Sequence, residues 1–295
     1  MPGRRLSSVA VRVEGQLYLF DGGEGTQVPY KELHLGLRSL DLIAVSHLHA
    51  DHVLGLPGLL MLRGQMPDPG PLTILGPPGL ARFIRNIRAD LRMHIRYPIE
   101  IKEWSKDADR LAYRDALVNI FWQPLEHSVF CLGYRMEEHQ RPGRFDPDRA
   151  RELGVPAGPL FGQLQRGQTI TTPQGTTVEP TEVLGPTRRG RHMVFATDTI
   201  PCRSLVELLD AADIAFVESM FLPDDEEDAR EKKHMTAAQA AGAAAEAKVQ
   251  QLLLFHISPR YERRELKRFA DIARSIHPNA NVAKEGQIIA IPLPD

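Results

Sequence analysis

A cluster of metal-binding side chains constrains this 295-residue chain more than any other feature. Residues 46–53 contain three histidines and one aspartate, and apolar residues lie on both sides of this stretch. Imidazole and carboxylate groups are the ligands that suit zinc and similar divalent ions. Their density within a segment enclosed by two hydrophobic elements indicates a metal site rather than a polar surface loop.

The spacing of these side chains suggests that one loop serves two ions. His47 and His49 are separated by one residue, so they point to the same side of an extended chain. Asp51 and His52 are neighbours and would point apart, toward two different positions. A loop of this kind could serve two metal ions a few ångströms apart, as two-metal hydrolases require.

Further acidic and histidine residues follow the ends of strand-like apolar runs. The residues at these ends are Asp21, His47, His127, Asp198, Glu218 and His256. Strand ends at one edge of a layered α/β fold lie close together, and binding sites form there. We therefore expect these residues, which are far apart in the sequence, to converge on one site.

The composition is ordinary for a globular protein, with 42% hydrophobic residues and a formal net charge of −2. Bulk charge therefore does not indicate a nucleic-acid binder. No apolar run approaches the roughly 18 residues of a membrane span, and no secretory signal is recognised. Cys131 and Cys202 form neither a CxxC motif nor a disulfide framework. We expect a cytoplasmic protein built as one large α/β domain or as two small ones.

An arginine-rich segment adds local positive charge. A stripe along one side of a predicted helix comprises Arg82, Arg85, Arg88 and Arg92, and Arg96 follows it. The opposite side of this helix would carry Phe83, Ile84, Ile87 and Leu91. Such a stripe is compatible with a solvated helix face and with contacts to phosphate groups.

Residues 139–191 differ in composition from the rest of the chain. Proline and glycine recur every few residues, and arginines cluster near both ends. This pattern predicts an extended arm or an ordered loop excursion rather than a core element, with a disordered linker as the alternative. Its scattered apolar residues indicate a segment that packs or binds, and they include Leu153, Leu160, Phe161 and Leu164.

A helix start follows His234. Thr236 and Gln239 have the spacing of a capping box that opens an alanine-rich helix. His234 lies just outside the predicted helix end, where both a structural neighbour of the cap and a catalytic acid remain reasonable interpretations.

Taken together, these motifs resemble the tRNase Z (ribonuclease Z) family of the metallo-β-lactamase superfamily. His-Leu-His-Ala-Asp-His at residues 47–52 is the superfamily signature. Features typical of the family lie at residues 20–27, 126–130, 133–135, 158–162, 198–199, 234–236 and 256–261. The resemblance runs from about Arg5 to the end of the chain, and it lacks the strand that family members normally have ahead of residues 2–8.

The resemblance implies an α/β fold, the αββα sandwich in which two mixed β-sheets are flanked by helices. Residues 1–295 would form a single catalytic domain, and residues 139–191 a flexible exosite arm inserted within it. The domain would bind two Zn²⁺ per subunit, with Mn²⁺ as an alternative. One zinc would be held by His47, His49 and His127, the other by Asp51, His52 and His256, and both by Asp198.

The resemblance also implies catalytic roles. A water or hydroxide between the ions would be the nucleophile, and Asp51 would be the general base. His234, oriented by Glu218, would stabilise the transition state or protonate the departing ribose oxygen. The reaction would remove the 3′ trailer from precursor tRNA, leaving a tRNA 3′-hydroxyl and a trailer 5′-phosphate.

The partners that the resemblance implies are precursor tRNA, gripped at its elbow by the arm, and a second copy in a homodimer. Neither a membrane nor DNA is expected. The nearest alternative is another superfamily phosphodiesterase or hydrolase that acts on a small substrate. An RNA-binding subunit without catalysis would lack at least one ligand, and a structural zinc domain usually uses cysteines.

Overall fold

The computed structural model describes residues 4–294, which form two compact units. One unit lies within residues 4–137 and 192–291, and the other within residues 138–191 and 292–294. Pro2 and Gly3, part of the segment ahead of which family members have a further strand, lie outside the described residues. The helices within residues 4–294 are too short to cross a bilayer, since the longest have 11 residues each.

The strands are β1 (Val9–Val13), β2 (Gln16–Phe20), β3 (Leu40–Ala44), β4 (Leu72–Gly76), β5 (Ile99–Glu103), β6 (Leu111–Arg114), β7 (Val118–Glu126), β8 (Phe130–Glu138), β9 (Ile170–Thr171), β10 (Thr177–Val178), β11 (His192–Ala196), β12 (Ile214–Glu218), β13 (Leu252–Phe255) and β14 (Ala280–Val282). The α-helices are α1 (Gln27–Glu32), α2 (Ala50–Val53), α3 (Leu56–Arg63), α4 (Leu80–Asp90), α5 (Pro147–Glu152), α6 (Pro159–Gln165), α7 (Arg203–Leu209), α8 (Glu226–Glu231), α9 (Ala237–Glu246) and α10 (Leu266–Ile276).

Two mixed sheets form the larger unit. In the first, the strand order is β1-β2-β3-β4-β5, with β1 antiparallel to β2 and the later neighbours parallel. In the second, the order is β14-β13-β12-β11-β8-β7-β6. Its strands β11 to β14 are parallel neighbours, whereas β8 runs antiparallel to β11. The predicted pair of mixed sheets is confirmed.

Alternating side chains explain why the two sheets pack face to face. On β2, Tyr18 and Phe20 point toward the second sheet, and the Phe20 ring lies 5.7 Å from the Phe195 ring. Leu17 and Leu19 point to the opposite side, into the cluster beneath α3 and α4. The outer face of the second sheet is covered by α7, α9 and α10. The layers are therefore helix, sheet, sheet, helix, as predicted.

Helix α4 differs from its prediction at the C-terminal end. Phe83, Ile84 and Ile87 face the core beside the first sheet, as expected. Leu91 was predicted on the same side but is 58% exposed, because the helix ends at Asp90 and the chain turns away. Met93, only 7% exposed, packs into this cluster beyond the turn.

The smaller unit is more ordered than its composition suggested. It contains α5, α6 and the antiparallel pair β9–β10, and it has its own core. The buried members of that core are Ala150, Val155, Leu164, Ile170, Val178 and Val183. Pro147 and Pro159 occupy the first helical positions of α5 and α6, where proline sacrifices no intrahelical hydrogen bond. The arm's exact limits and its flexibility stay predictions.

Candidate metal centre

The strand-end residues converge as the sequence predicted. Asp21 follows β2, His47 lies beyond β3, and Asp198 lies beyond β11. Glu218 is the last residue of β12, and His256 follows β13. Asp21 and His256 have φ values of 57° and 53°, so the chain turns sharply at both strand ends. That left-handed backbone costs a non-glycine residue about 1–2 kcal/mol, which the surrounding packing must offset.

A first ligand group combines three histidines with one oxygen of Asp198. His47 Nε2 lies 3.0 Å from His49 Nδ1, which lies 3.3 Å from His127 Nε2. Asp198 Oδ2 is 3.5 Å from His47 Nε2 and 3.6 Å from His127 Nε2. These four side chains therefore place their donor atoms around one point.

A second ligand group uses the other oxygen of the same carboxylate. His52 Nε2 is 3.2 Å from His256 Nε2, and these atoms lie 3.5 Å and 3.3 Å from Asp51 Oδ2. Asp198 Oδ1 is 3.5 Å from both ring nitrogens. Asp198 thus faces both groups, one with each oxygen.

These separations fit a divalent ion. Zinc–ligand bonds of about 2.0–2.2 Å in tetrahedral geometry place neighbouring donor atoms about 3.3 Å apart. The separations of 3.0–3.6 Å within the two groups bracket that value. The donor set, imidazole with carboxylate and no thiolate, is typical of catalytic zinc sites rather than of cysteine-rich structural ones. The residues therefore fit two metal ions.

A hydrogen-bond network holds the ring nitrogens in place. Asp21 Oδ2 accepts a hydrogen bond from His52 Nδ1 at 2.6 Å and another from Ser46 Oγ at 2.7 Å. Ser46 Oγ in turn lies 3.0 Å from His47 Nδ1, which can donate to it. Both Nε2 atoms are thereby left free to face the ligand groups, an arrangement typical of metal-binding histidines.

His234 lies at the edge of the two groups. Its Nδ1 donates to Glu218 Oε1 at 2.9 Å, and its Nε2 lies 4.0 Å from Asp198 Oδ2. Glu218 is fully buried and also accepts from the backbone N–H of Thr199 at 2.8 Å. The capping hydroxyl of α9 comes from Thr236, as predicted. His234 is therefore not a cap, and its free nitrogen faces the centre.

Within residues 4–294 there is one further combination of ligands. Asp198, His234 and His256 also bring donor atoms within 4.8 Å of one another. Two of these residues belong to the second group, so this combination is an alternative arrangement of the same centre. The distance of 4.0 Å from His234 to Asp198 exceeds the separations within the two groups, which favours a role outside the ligand set.

The electrostatics of the centre favour bound cations. Burial lowers the pKa of His52, but the charge and hydrogen bond of Asp21 outweigh it and raise the pKa to about 11. Hydrogen bonds from His256 and His52 hold the pKa of Asp51 well below its usual range. Burial alone would raise the pKa of Asp198, yet His256 and His52 hold it low. Ionised carboxylates thus lie beside the histidines. Their negative charge would stabilise bound metal ions in the same way as it stabilises a protonated histidine.

Glycines let the backbone of residues 21–25 approach the metal loop. A Cβ on Gly23 would lie 2.3 Å from the carbonyl oxygen of Asp51, and one on Gly55 would lie 2.0 Å from that of Gly23. The Gly22 N–H donates to the His52 carbonyl at 2.8 Å. These contacts are too close for any side chain.

Several supporting residues were not identified from the sequence. Asp21 was placed at the site without a role, and the role of Ser46 was missed. Thr197 Oγ1 donates to Asp198 Oδ1 at 2.7 Å, and the Lys233 carbonyl accepts from His127 Nδ1 at 2.9 Å. The only signal for Asp21 was its position at a strand end, and a backbone carbonyl leaves no signal in a sequence.

Comparison with protein families identifies what this arrangement resembles. The family described as the Metallo-beta-lactamase superfamily matches residues 2–201, and the Beta-lactamase superfamily domain matches residues 162–257. Ribonuclease Z of Treponema denticola is 43% identical over 295 residues, covering 100% of this chain and 95% of that protein. Ribonuclease Z of Salinibacter ruber is 42% identical, covering 96% of this chain and 88% of its own length.

Solved structures share the fold. The short form of human tRNase Z has a TM-score of 0.70 at 23% identity, covering 99% of this chain and 95% of that one. A diphosphatase of the PhnP family has a TM-score of 0.60 at 18% identity, covering 96% and 83%. The same architecture therefore accompanies different activities, and the fold alone does not choose between them.

Proposed function

This chain belongs to the ribonuclease Z family of the metallo-beta-lactamase superfamily, and we propose that it is a metal-dependent endoribonuclease that removes the 3′ trailer from precursor tRNA. The observation that carries the proposal is the pair of ligand groups around Asp198, in a chain that aligns over its full length with ribonucleases. The products would be a tRNA with a 3′-hydroxyl and a trailer with a 5′-phosphate.

We propose two Zn²⁺ per subunit, with Mn²⁺ as an alternative. The first would be held by His47, His49 and His127, the second by Asp51, His52 and His256, and both by Asp198. When bound, the ions supply positive charge to the phosphate oxygens and lower the pKa of water at the centre. The donor separations given above support this assignment.

The protein's own side chains would carry out the proton transfers of the reaction. Asp51 is 39% exposed, whereas Asp198 is buried, so Asp51 is the carboxylate placed to accept a proton from water. His234, held by Glu218, would give a proton from Nε2 to the departing ribose oxygen. The water oxygen bonds to phosphorus and the P–O3′ bond breaks. Asp51 takes up the proton that the water loses, and His234 gives a proton to the departing O3′.

The smaller unit would recognise the body of the tRNA. We propose that residues 139–191 act as the exosite arm, since a folded RNA is recognised largely by its shape and backbone. The ordered core of this unit and its arginines support that role, and they include Arg141, Arg144, Arg149, Arg151, Arg188 and Arg189.

We further propose that two copies form a homodimer and that they work in the cytoplasm. Leu54 and Met61 lie seven residues apart on one side of the α2–α3 segment, and they are 46% and 47% exposed. Val28 on α1 is 46% exposed, and α1 packs against α3 where Gln27 meets Gly58. These exposed apolar side chains offer a surface for a second copy.

The test is cleavage of a precursor tRNA that carries a short 3′ trailer. We expect zinc-loaded protein to make one cut next to the discriminator base, and Asp51→Ala to lose on the order of 10³-fold or more in rate. Hydrolysis of bis(p-nitrophenyl) phosphate without precursor cleavage would contradict the RNA assignment and favour a small-substrate hydrolase. Cleavage by Asp51→Ala at the wild-type rate would contradict the assigned role of Asp51.

A further inference from the structure

The exposed side of α4 carries positive charge that the proposed reaction has not used. We call Arg82, Arg85 and Arg88 of this helix, together with Arg92 just beyond its end, the arginine face. Arg82, Arg85 and Arg92 are exposed and Arg88 is half-buried, whereas Leu80 and Ile84 on the opposite side of the helix are buried. The helix is thus anchored by its apolar side and presents the arginines to solvent.

The arginine face lacks the acidic partners that other helices supply. Arg149 pairs with Glu152 at 3.0 Å, and Arg203 pairs with Glu207 at 2.8 Å, each within its own helix. Within residues 4–294, no ion pair is formed by any member of the arginine face. The face is therefore not neutralised by the fold.

The spacing of the arginine face costs helix stability. Arg82 and Arg85 are three residues apart on α4, as are Arg85 and Arg88, whereas Arg92 lies beyond the end of the helix. Like charges this close together on one helix face destabilise the helix. Glu103 of the neighbouring strand β5 accepts from the backbone N–H groups of Gly79 and Ala81 at 2.8 Å each and forms no ion pair with the arginine face within residues 4–294. A bound polyanion would relieve the repulsion.

The arginine face begins beside the metal loop. A Cβ on Gly79, which precedes α4, would lie 3.1 Å from the side chain of Leu48 and 4.0 Å from Arg82 Nη2. Leu48 lies between His47 and His49, two residues of the first ligand group. A helix rises about 1.5 Å per residue, so the face extends away from this contact by about 9 Å between Arg82 and Arg88.

We propose that the arginine face binds the phosphate backbone of the precursor tRNA next to the scissile phosphate, an inference that rests on the proposed function. Neighbouring phosphates of one strand are spaced by a few ångströms, and arginine pairs well with phosphate oxygens. The face would align the RNA by its backbone, without reading its bases.

The test compares two double variants that change the charge equally. Arg82→Glu with Arg85→Glu alters the face, whereas Arg263→Glu with Arg264→Glu alters exposed arginines just before α10. We expect the first variant to raise KM for precursor tRNA by about tenfold or more. We also expect it to lessen the slope of log(kcat/KM) against log[salt] by about one to two, one for each phosphate that is no longer neutralised. The second variant should change neither value appreciably.

Three outcomes decide the proposal. Equal increases of KM in both double variants would assign the effect to net charge and would overturn it, as would wild-type KM and salt slope in the first variant. The expected pattern, with bound zinc and melting temperature matching the wild type, would support it. Precursors with one-nucleotide and with twenty-nucleotide trailers distinguish whether the arginine face binds phosphates of the tRNA or phosphates of the trailer. Failure of the wild type to cleave any precursor would instead reject the proposed function.

Discussion

Replacement of Asp198 by alanine is expected to abolish metal binding and to lower precursor cleavage by on the order of 10³-fold or more. One oxygen of this carboxylate lies 3.5 Å from His47 Nε2 and the other 3.5 Å from His52 Nε2. Its removal takes one ligand from each proposed metal and the buried negative charge between them. The remaining ring nitrogens, 3.0–3.3 Å apart in the first group, would then lack a compensating carboxylate.

The measurement is metal content per chain together with kcat/KM on precursor tRNA. Asp210→Ala is the matched control, because Asp210 is an exposed aspartate on the turn after α7. We expect the control to retain both values of the wild type. Two metal ions per chain in Asp198→Ala, or activity within about tenfold of the wild type, would contradict the shared-ligand assignment.

The second large effect is expected from His234→Ala. General acid–base catalysis contributes about 10²–10⁴-fold, so kcat on precursor tRNA should fall by roughly this factor. Metal content should stay unchanged, because His234 lies outside the two ligand groups. Glu218→Gln should lose less, since an amide oxygen can still accept the hydrogen bond from Nδ1 that now spans 2.9 Å.

A second substrate separates proton donation from other roles of His234. The p-nitrophenolate ion leaves without being protonated, whereas a ribose alkoxide needs a proton. If His234 is the acid, the variant should lose far less activity on bis(p-nitrophenyl) phosphate than on RNA. An equal loss on both substrates would contradict proton donation and assign His234 to stabilisation of the transition state.

Much of the site could be predicted because each ligand follows a local rule. His47 follows a strand of the first sheet, whereas Asp198 and His256 follow parallel strands of the second sheet, and strand patterns are visible as short apolar runs. The capping box of Thr236 and Gln239 depends on a spacing of three residues, and it too was found as predicted. Rules of this kind need no knowledge of the tertiary structure.

Several supporting contacts could not be predicted, because they join residues that are distant in the chain. Asp21 and His52 are 31 residues apart, and only the packed sheets bring them within 2.6 Å. The smaller unit shows the same limit, since proline and glycine dominate its composition while its few apolar residues are enough for a core. The end of α4 at Asp90, which left Leu91 exposed, depended on a turn rather than on periodicity.

Two metal ions in the group around Asp198 are proposed to make this chain an endoribonuclease. The most direct test is to remove metal with a chelator, return Zn²⁺ in measured equivalents, and follow single-turnover cleavage of precursor tRNA at each step. We predict no cleavage without metal and a rate that rises to a plateau at two equivalents per chain. Cleavage by the metal-free protein, or a full rate at one equivalent, would contradict the account.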